Sequence, residues 1–332
     1  MKRFLSIICS TAIFLVLVAS LTLSSSNDFK DGTAGKSTVF EIASGESGTS
    51  IGNHLQSAGV IKDSALFIHL FTSNPKAQAI APGSHLVESH LSSKRALAEL
   101  LDPKRLQGVI QVREGQTLAQ LVKVMAGSGQ IDMSDRNISG ISPTVKNSYG
   151  SWEGQLAPAI YSFPRGTKYR DAIGEMSQRF STEISNLGLA HGVPGFSAYQ
   201  NLIVSSMVQL EGDPNDFSKV ARVIFNRLAI GMPLQLNSTV QYVLGNQSSI
   251  TLSRQATQIQ SPFNTYLHGG LPPTPIAFPS LKAISATLAP TQGDWLYFIT
   301  VQPGDTRFTK SFKEFESWVT LFNVNVAKGL FR

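Results

Sequence analysis

The chain has a single cysteine, Cys9, among 332 residues. An intrachain disulfide is therefore excluded, as are a cysteine-ligated metal site and a thiol nucleophile outside the first apolar run. Charge is also scarce. Only 15% of residues are charged against 42% hydrophobic, a balance that supports a packed core and excludes a solvated, disordered chain. The 28 basic and 22 acidic side chains leave a net charge of +6. The basic residues are scattered, with no run longer than pairs such as Lys94-Arg95 and Lys104-Arg105. Nucleic-acid binders concentrate positive charge in a stripe and interleave it with aromatics, so no nucleic-acid partner is expected. The six histidines, His54, His69, His85, His90, His191 and His268, form no H-E-x-x-H or other tight ligand pair, and no metal is expected.

Charge is absent altogether from Phe4 to Leu23, 20 residues that come directly after Lys2-Arg3. At about 1.5 Å per residue such a helix spans a hydrocarbon core of roughly 30 Å. The positive flank predicts a cytoplasmic N-terminus and an exported body from Ser24 onward. A cleaved signal peptide, with Val18-Ala19-Ser20 as its cleavage site, is the alternative; the length of the run favours a retained anchor. Lipidation at Cys9 is disfavoured because Ile8 stands where a small residue is needed.

The exported body has an α+β pattern. Residues 24–36 are a Ser- and Gly-rich flexible linker. Residues 37–105 form a small module. It has strand character at Val39 to Ile42, a helix from about Asp63, which caps it, to Thr72, a strand near Ser84 to Val87, and a helix from about Ser92 to Leu101. Residues 106–332 form a larger mixed α+β domain. It opens with a strand at Val109 to Val112 and a helix running from Gly115 to about Ala126, and carries a surface connection from Gln130 to Tyr149.

Several segments could carry chemistry. Gly48-Thr49-Ser50-Ile51-Gly52 matches G-x-S-x-G, the nucleophile elbow of serine hydrolases. It sits in a small N-terminal module rather than a large parallel sheet, so a capping Ser50 and turn glycines are the favoured reading. Residues 199–230 are more informative. An apolar helix with Leu202, Ile203, Met207, Val208 and Leu210 ends at Glu211, stopped by Gly212 and Pro214. A second helix starts near Asp216, with Val220, Val223, Ile224 and Leu228 on its buried face at i, i+3, i+4, i+8. A carboxyl at an apolar helix end is desolvated, which raises its pKa and suits it to act as a general acid. The segments after it read as loops dense in Asn, Gln, Thr and Tyr, suited to an uncharged polar polymer: Met232 to Gln235, Thr239 to Tyr242, Ser261 to Tyr266 and Gly270 to Ala277.

Taken in order, these segments resemble the YceG-like family of endolytic murein transglycosylases. The matching residues are Val208-Gln209-Leu210-Glu211, Val220 through Leu228, Gly231-Met232-Pro233-Leu234-Gln235, Thr239-Val240-Gln241-Tyr242, Ser261 through Tyr266, Gly270-Leu271-Pro272-Pro273, and Asp294 through Phe298. The resemblance covers nearly the whole chain, anchor included, and implies that module 37–105 is LysM-like. Four departures stand out. Gln209 replaces the first glutamate of an E-x-E pair. Glu153 to Tyr161 lacks an acid and a threonine of the family's E-G-x-L-x-P-[DE]-T-Y. Asn237-Ser238-Thr239-Val240 replaces D-P-T-V, and Asp305 to Thr309 lacks a histidine.

The resemblance implies cleavage of peptidoglycan glycan strands without water, giving 1,6-anhydro-muramyl ends, with Glu211 as the single acid and base and no cofactor. Asn226, Arg227, Gln235, Asn264, Thr265 and Tyr266 are the candidate glycan contacts. Partners would be the glycan strands and the bacterial plasma membrane, with cell-wall synthesis proteins as further candidates. The rival reading is a weakly active or inactive wall-binding scaffold of the same fold.

Overall fold

The computed structural model describes residues 27–30, 34–43, 45–189, 192–245 and 252–331. The expected anchor over 1–23, with Cys9, and His191 lie outside them. Among the described residues no helix is long and apolar enough to cross a membrane. The fold is mixed α+β, with ten α-helices and two-stranded sheets among the described residues. The described residues fall into two compact units: those up to Ile110 with Tyr161–Gly166, and Gln111–Ile160 with those from Thr167 onward. The pattern of residues alone puts the boundary after 105 and holds no sign that 161–166 return to the first unit.

The first unit runs β1 (Ser37–Ile42), α1 (Gly48–Ser57), α2 (Ser64–Ser73), β2 (Gly83–Glu88) and α3 (Ser93–Leu101). Strands β1 and β2 pair antiparallel, from Ser37 opposite Glu88 to Ile42 opposite Gly83. Asp63 caps α2, its carboxylate accepting the Ala65 N–H at 2.8 Å, and Ser92 caps α3. Phe40 and Ile42 of β1, Leu55 of α1, Phe67 of α2, and Leu97 and Leu100 of α3 share one apolar core.

Ser50 departs from expectation. The cap of α1 is Ser47, whose hydroxyl accepts the Ser50 N–H at 3.2 Å. Ser50 lies inside the helix and donates its hydroxyl to Glu46 at 2.9 Å, while His54 Nδ1 meets the same carboxylate at 2.8 Å. The acid stands between serine and histidine, so the histidine does not take the serine's proton as a hydrolase requires.

The second unit begins at the strand β3 (Val109–Val112), through which the chain enters from the first. It continues α4 (Leu118–Ser128), β4 (Ile131–Asp132), β5 (Ala159–Ser162), whose last two residues count with the first unit, β6 (Thr167–Lys168), α5 (Tyr169–Ser185), α6 (Ala198–Glu211), α7 (Phe217–Ala229), α8 (Asn237–Leu244), α9 (Leu281–Leu288), β7 (Tyr297–Gln302), β8 (Asp305–Thr309) and α10 (Phe312–Ala327). Strands β4 and β6 pair in parallel, and β7 and β8 form an antiparallel hairpin against which α10 packs.

Helix α6 is the centre. Every residue from Asn201 to Val208 is buried, the pattern of a helix surrounded by others, and α7, α8 and α9 pack on it. Its polar residues are spent on backbone. Ser206 Oγ accepts the Ile276 N–H at 3.0 Å, and Gln209 Oε1 accepts the Ser280 N–H at 2.8 Å. A neutral amide therefore suffices at position 209, where a neutral acceptor is all that is used.

Residues 239–242, expected in a loop, belong to helix α8. Thr239 and Val240 are fully buried, so tertiary packing overrides the modest helix propensity of β-branched residues. Gly245, at φ 66°, ends the helix in the left-handed conformation that favours glycine.

Candidate active site around Glu211

Glu211 is the last residue of α6. Gly212 leaves the helix in an extended conformation, and a Cβ there would meet Val220 Cγ2 at 3.0 Å. Glycine thus lets the chain pass tightly onto α7. Glu211 is half-buried, and its Oε1 accepts the Ser238 backbone N–H at 3.0 Å. That N–H belongs to the first turn of α8, where amides have no partner inside the helix. The N-cap residue, Leu236, offers no side chain to it, so Glu211 supplies the cap from a different helix.

Burial pushes the Glu211 carboxyl above the usual carboxylate range, against the opposing pull of the Ser238 amide and of the Arg227 guanidinium. Desolvation wins, which leaves a carboxylic acid able to hold a proton where an exposed glutamate would have lost it.

Glu211 opens onto a cavity of about 570 Å³. Its polar wall carries Arg227, Gln235, Asn237, Thr257, Tyr266 and Thr300; its apolar wall carries Tyr297, Phe298, Ile299 and the phenylalanines Phe312 and Phe315. Tyr297 and Phe315 stack with centroids 5.2 Å apart, and the Arg227 guanidinium sits 5.3 Å from the Tyr297 ring centre. Flat aromatic faces beside hydroxyl and amide groups suit a sugar, whose ring presents C–H faces and hydroxyl edges.

The six expected glycan contacts divide. Arg227, Gln235 and Tyr266 line the cavity. Arg227 is also a clamp, donating to Leu296 O at 2.6 Å and Leu234 O at 2.7 Å. Gln235 adopts φ 48°, a left-handed conformation costing a non-glycine residue about 1–2 kcal/mol, and its N–H donates to Thr265 O at 3.0 Å. Tyr266 donates its hydroxyl to Asn237 Oδ1 at 2.6 Å.

The other three do not line the cavity. Asn226 donates to Gly293 O at 3.1 Å and Trp295 O at 2.9 Å. Asn264 donates to Thr257 O and Ile259 O. Thr265 accepts the Leu236 N–H at 3.0 Å and pairs with the Thr239 hydroxyl at 2.9 Å. All three shape the loops that carry cavity residues. Ser238, Asn237, Tyr297 and Phe315 are among the site residues that the expected contacts do not include. Ser238 acts through its backbone and leaves no side-chain signal, whereas the spacing of Phe312, Phe315 and Phe322 along α10 is a signal that sequence does carry.

The model of the YceG-like family matches residues 40–320. The chain belongs to the YceG-like family. Among its relatives, a Bacillus subtilis (strain 168) protein named endolytic murein transglycosylase is 34% identical over 171 residues, 51% of this chain and 47% of that protein. A Streptococcus pneumoniae serotype 2 protein of the same name is 28% identical over 305 residues, 81% of this chain and 55% of that protein. This YceG-like chain therefore spans about half the length of the curated relatives it matches. A crystal structure of a yceG-like protein from Listeria monocytogenes shares the fold, with a TM-score of 0.56 at 24% identity, covering 85% of this chain and 99% of that one.

Proposed function

We propose that the chain is a lytic transglycosylase that cuts peptidoglycan glycan strands internally, between N-acetylmuramic acid and N-acetylglucosamine. The observation that carries this reading is that Glu211 is the one carboxylate among the described residues lining the cavity. Hydrolytic glycosidases generally use a pair of carboxylic side chains, one of which handles water or the sugar. A single group suffices when the substrate supplies its own nucleophile. Two relatives carrying the name endolytic murein transglycosylase support the substrate class.

Glu211, protonated, gives its proton to the glycosidic oxygen as the bond from the muramyl anomeric carbon breaks. The carboxylate left behind takes the proton from the muramyl 6-hydroxyl, whose oxygen closes on the same anomeric carbon. The product is a 1,6-anhydro end, and Glu211 is protonated again. The Ser238 amide and the Arg227 guanidinium stabilise the carboxylate between the two transfers. Tyr297 and Phe315 offer stacking faces, while Gln235, Asn237 and Tyr266 offer groups for hydroxyls and acetamides.

The apolar run Phe4 to Leu23 supports a single plasma-membrane anchor with a cytoplasmic N-terminus and the catalytic part outside. The β-α-α-β order of residues 37–88, with its antiparallel pair, supports a LysM-like module that holds glycan. Cell-wall synthesis proteins are candidate partners.

The test is to incubate the full chain with uncrosslinked glycan strands and read the chain ends by mass. Anhydro-muramyl ends are expected, and they should vanish with Glu211→Gln. Strand binding without cleavage would make the protein a scaffold and overturn the catalytic reading.

A further inference from the structure

The second unit holds another buried carboxylate that the proposed reaction does not use. Glu153 is 4% exposed. Its Oε1 accepts the Leu118 N–H at 2.9 Å, in the first turn of α4, and its Oε2 accepts the Tyr242 hydroxyl at 3.2 Å. The turn that carries it is fixed. Gly154 has φ 76°, and a Cβ there would meet Pro275 Cβ at 2.6 Å, so glycine is required by both conformation and space.

Tyr242 lies on α8, one turn after Ser238, and α8 is the helix whose first turn places an N–H on Glu211. An eight-residue helix is not stable alone. Its position is set by what grips it. At its N-terminal end those grips are Glu211 and the Thr239–Thr265 hydroxyl pair; toward its C-terminal end the grip is the Tyr242–Glu153 hydrogen bond.

We infer that Glu153 is a positioning residue for Glu211: held by the α4 N-terminus, it anchors α8 through Tyr242 and so sets where the Ser238 amide meets the Glu211 carboxylate. The inference rests on Glu211 being the proton-transferring group. The charge state of Glu153 matters to the anchor, because an ionised carboxylate accepts a hydroxyl hydrogen bond more strongly than a neutral acid. Burial pushes the Glu153 carboxyl up to about 7, against the pull of the Leu118 amide and the Tyr242 hydroxyl. The titratable groups facing Glu153 are Tyr242 of α8 and Tyr199 of α6; those facing Glu211 are Arg227 of α7 and Tyr266. Among the described residues no cation opposes the rise at Glu153, whereas Arg227 opposes it at Glu211.

The experiment follows the Glu211 carboxyl directly, by NMR titration of the full chain labelled at glutamate carboxyl carbons, with Glu211→Gln used for assignment. The Ser238 amide favours ionised Glu211. Loosening α8 with Tyr242→Phe or Glu153→Ala should therefore raise the Glu211 midpoint by roughly half to one pH unit. The wild-type Glu211 signal should also show a second inflection near pH 7, which Glu153→Gln removes. With Tyr242→Phe, the falling limb of the kcat/KM profile should move up in pH together with the Glu211 midpoint, a shift that a loss of folded protein, which lowers apparent kcat and leaves KM unchanged, does not give.

An unchanged Glu211 midpoint in Tyr242→Phe, or a wild-type curve without the second inflection, would overturn the inference. Should Glu153→Ala fail to fold, Tyr242→Phe and Glu153→Gln still decide it. If the wild-type chain releases no anhydro ends, the catalytic reading fails separately, and the titration still reports whether Glu153 positions Glu211.

Discussion

The backbone N–H of Ser238 donates to Glu211 Oε1 at 3.0 Å, joining the last residue of α6 to the first turn of α8. Two opposed forces meet there. Burial favours the acid form of Glu211, while the helix-end amide favours the carboxylate. A group that must give and then take one proton needs both forms within reach.

Activity should therefore depend on pH through Glu211. The acid form starts the reaction, so kcat/KM should fall as pH rises through the Glu211 pKa. Because burial has raised that pKa, the falling limb should lie above the range of an exposed glutamate. Arg227→Gln removes a cation that favours the carboxylate and should move the limb further up. The pH–rate profiles of the two proteins provide the check, and a limb that moves down would contradict the assignment.

Glu153 carries the opposite lesson for stability. Its folded pKa is raised from 4.5 to about 7. The folded state then binds more protons than the unfolded state between those values. The stabilisation is fully present below pH 4.5 and is lost as pH rises toward 7, by roughly 3 kcal/mol across that window. Glu153→Gln should flatten this slope. Urea unfolding at pH 4.5 and pH 8 would show it, and equal slopes in the two proteins would refute it.

Thr265 locks the loop that brings Gln235 to the cavity. Thr265→Val keeps the shape but strands the buried Leu236 N–H, a loss of about 1–3 kcal/mol. Chemical denaturation should report that loss and steady-state kinetics a raised KM, since the left-handed Gln235 conformation is held by its N–H on Thr265 O.

Asn226 and Gln235 should separate cleanly. Asn226→Ala breaks two hydrogen bonds to the 293–295 backbone and should lower stability by about 1–2 kcal/mol. Gln235→Ala should leave stability unchanged and raise KM about tenfold, equivalent to about 1.4 kcal/mol of binding. Thermal melts and steady-state kinetics on the two variants distinguish these roles.

Much of the scaffold was legible. The stripe Val220, Val223, Ile224 pointed to α7, all three being buried. Gly212 and Pro214 marked the end of α6, and so the position of Glu211. The site's detail was less legible, for physical reasons. An amide or hydroxyl in a turn can bond a sugar or its own backbone, and sequence does not say which; Asn226, Asn264 and Thr265 all chose backbone. The donor on Glu211 is a main-chain N–H, present in every residue type but proline. Helix α8 looked like a loop because its stability comes from burial of Thr239 and Val240 rather than from propensity.

The central claim is that Glu211 alone moves the proton and that no water enters the product. The most direct measurement is to let the full chain cleave glycan strands in heavy-oxygen water and weigh the new muramyl ends. Anhydro ends free of heavy oxygen, absent in Glu211→Gln, are expected. Reducing ends carrying heavy oxygen, or cleavage that survives Glu211→Gln, would contradict it.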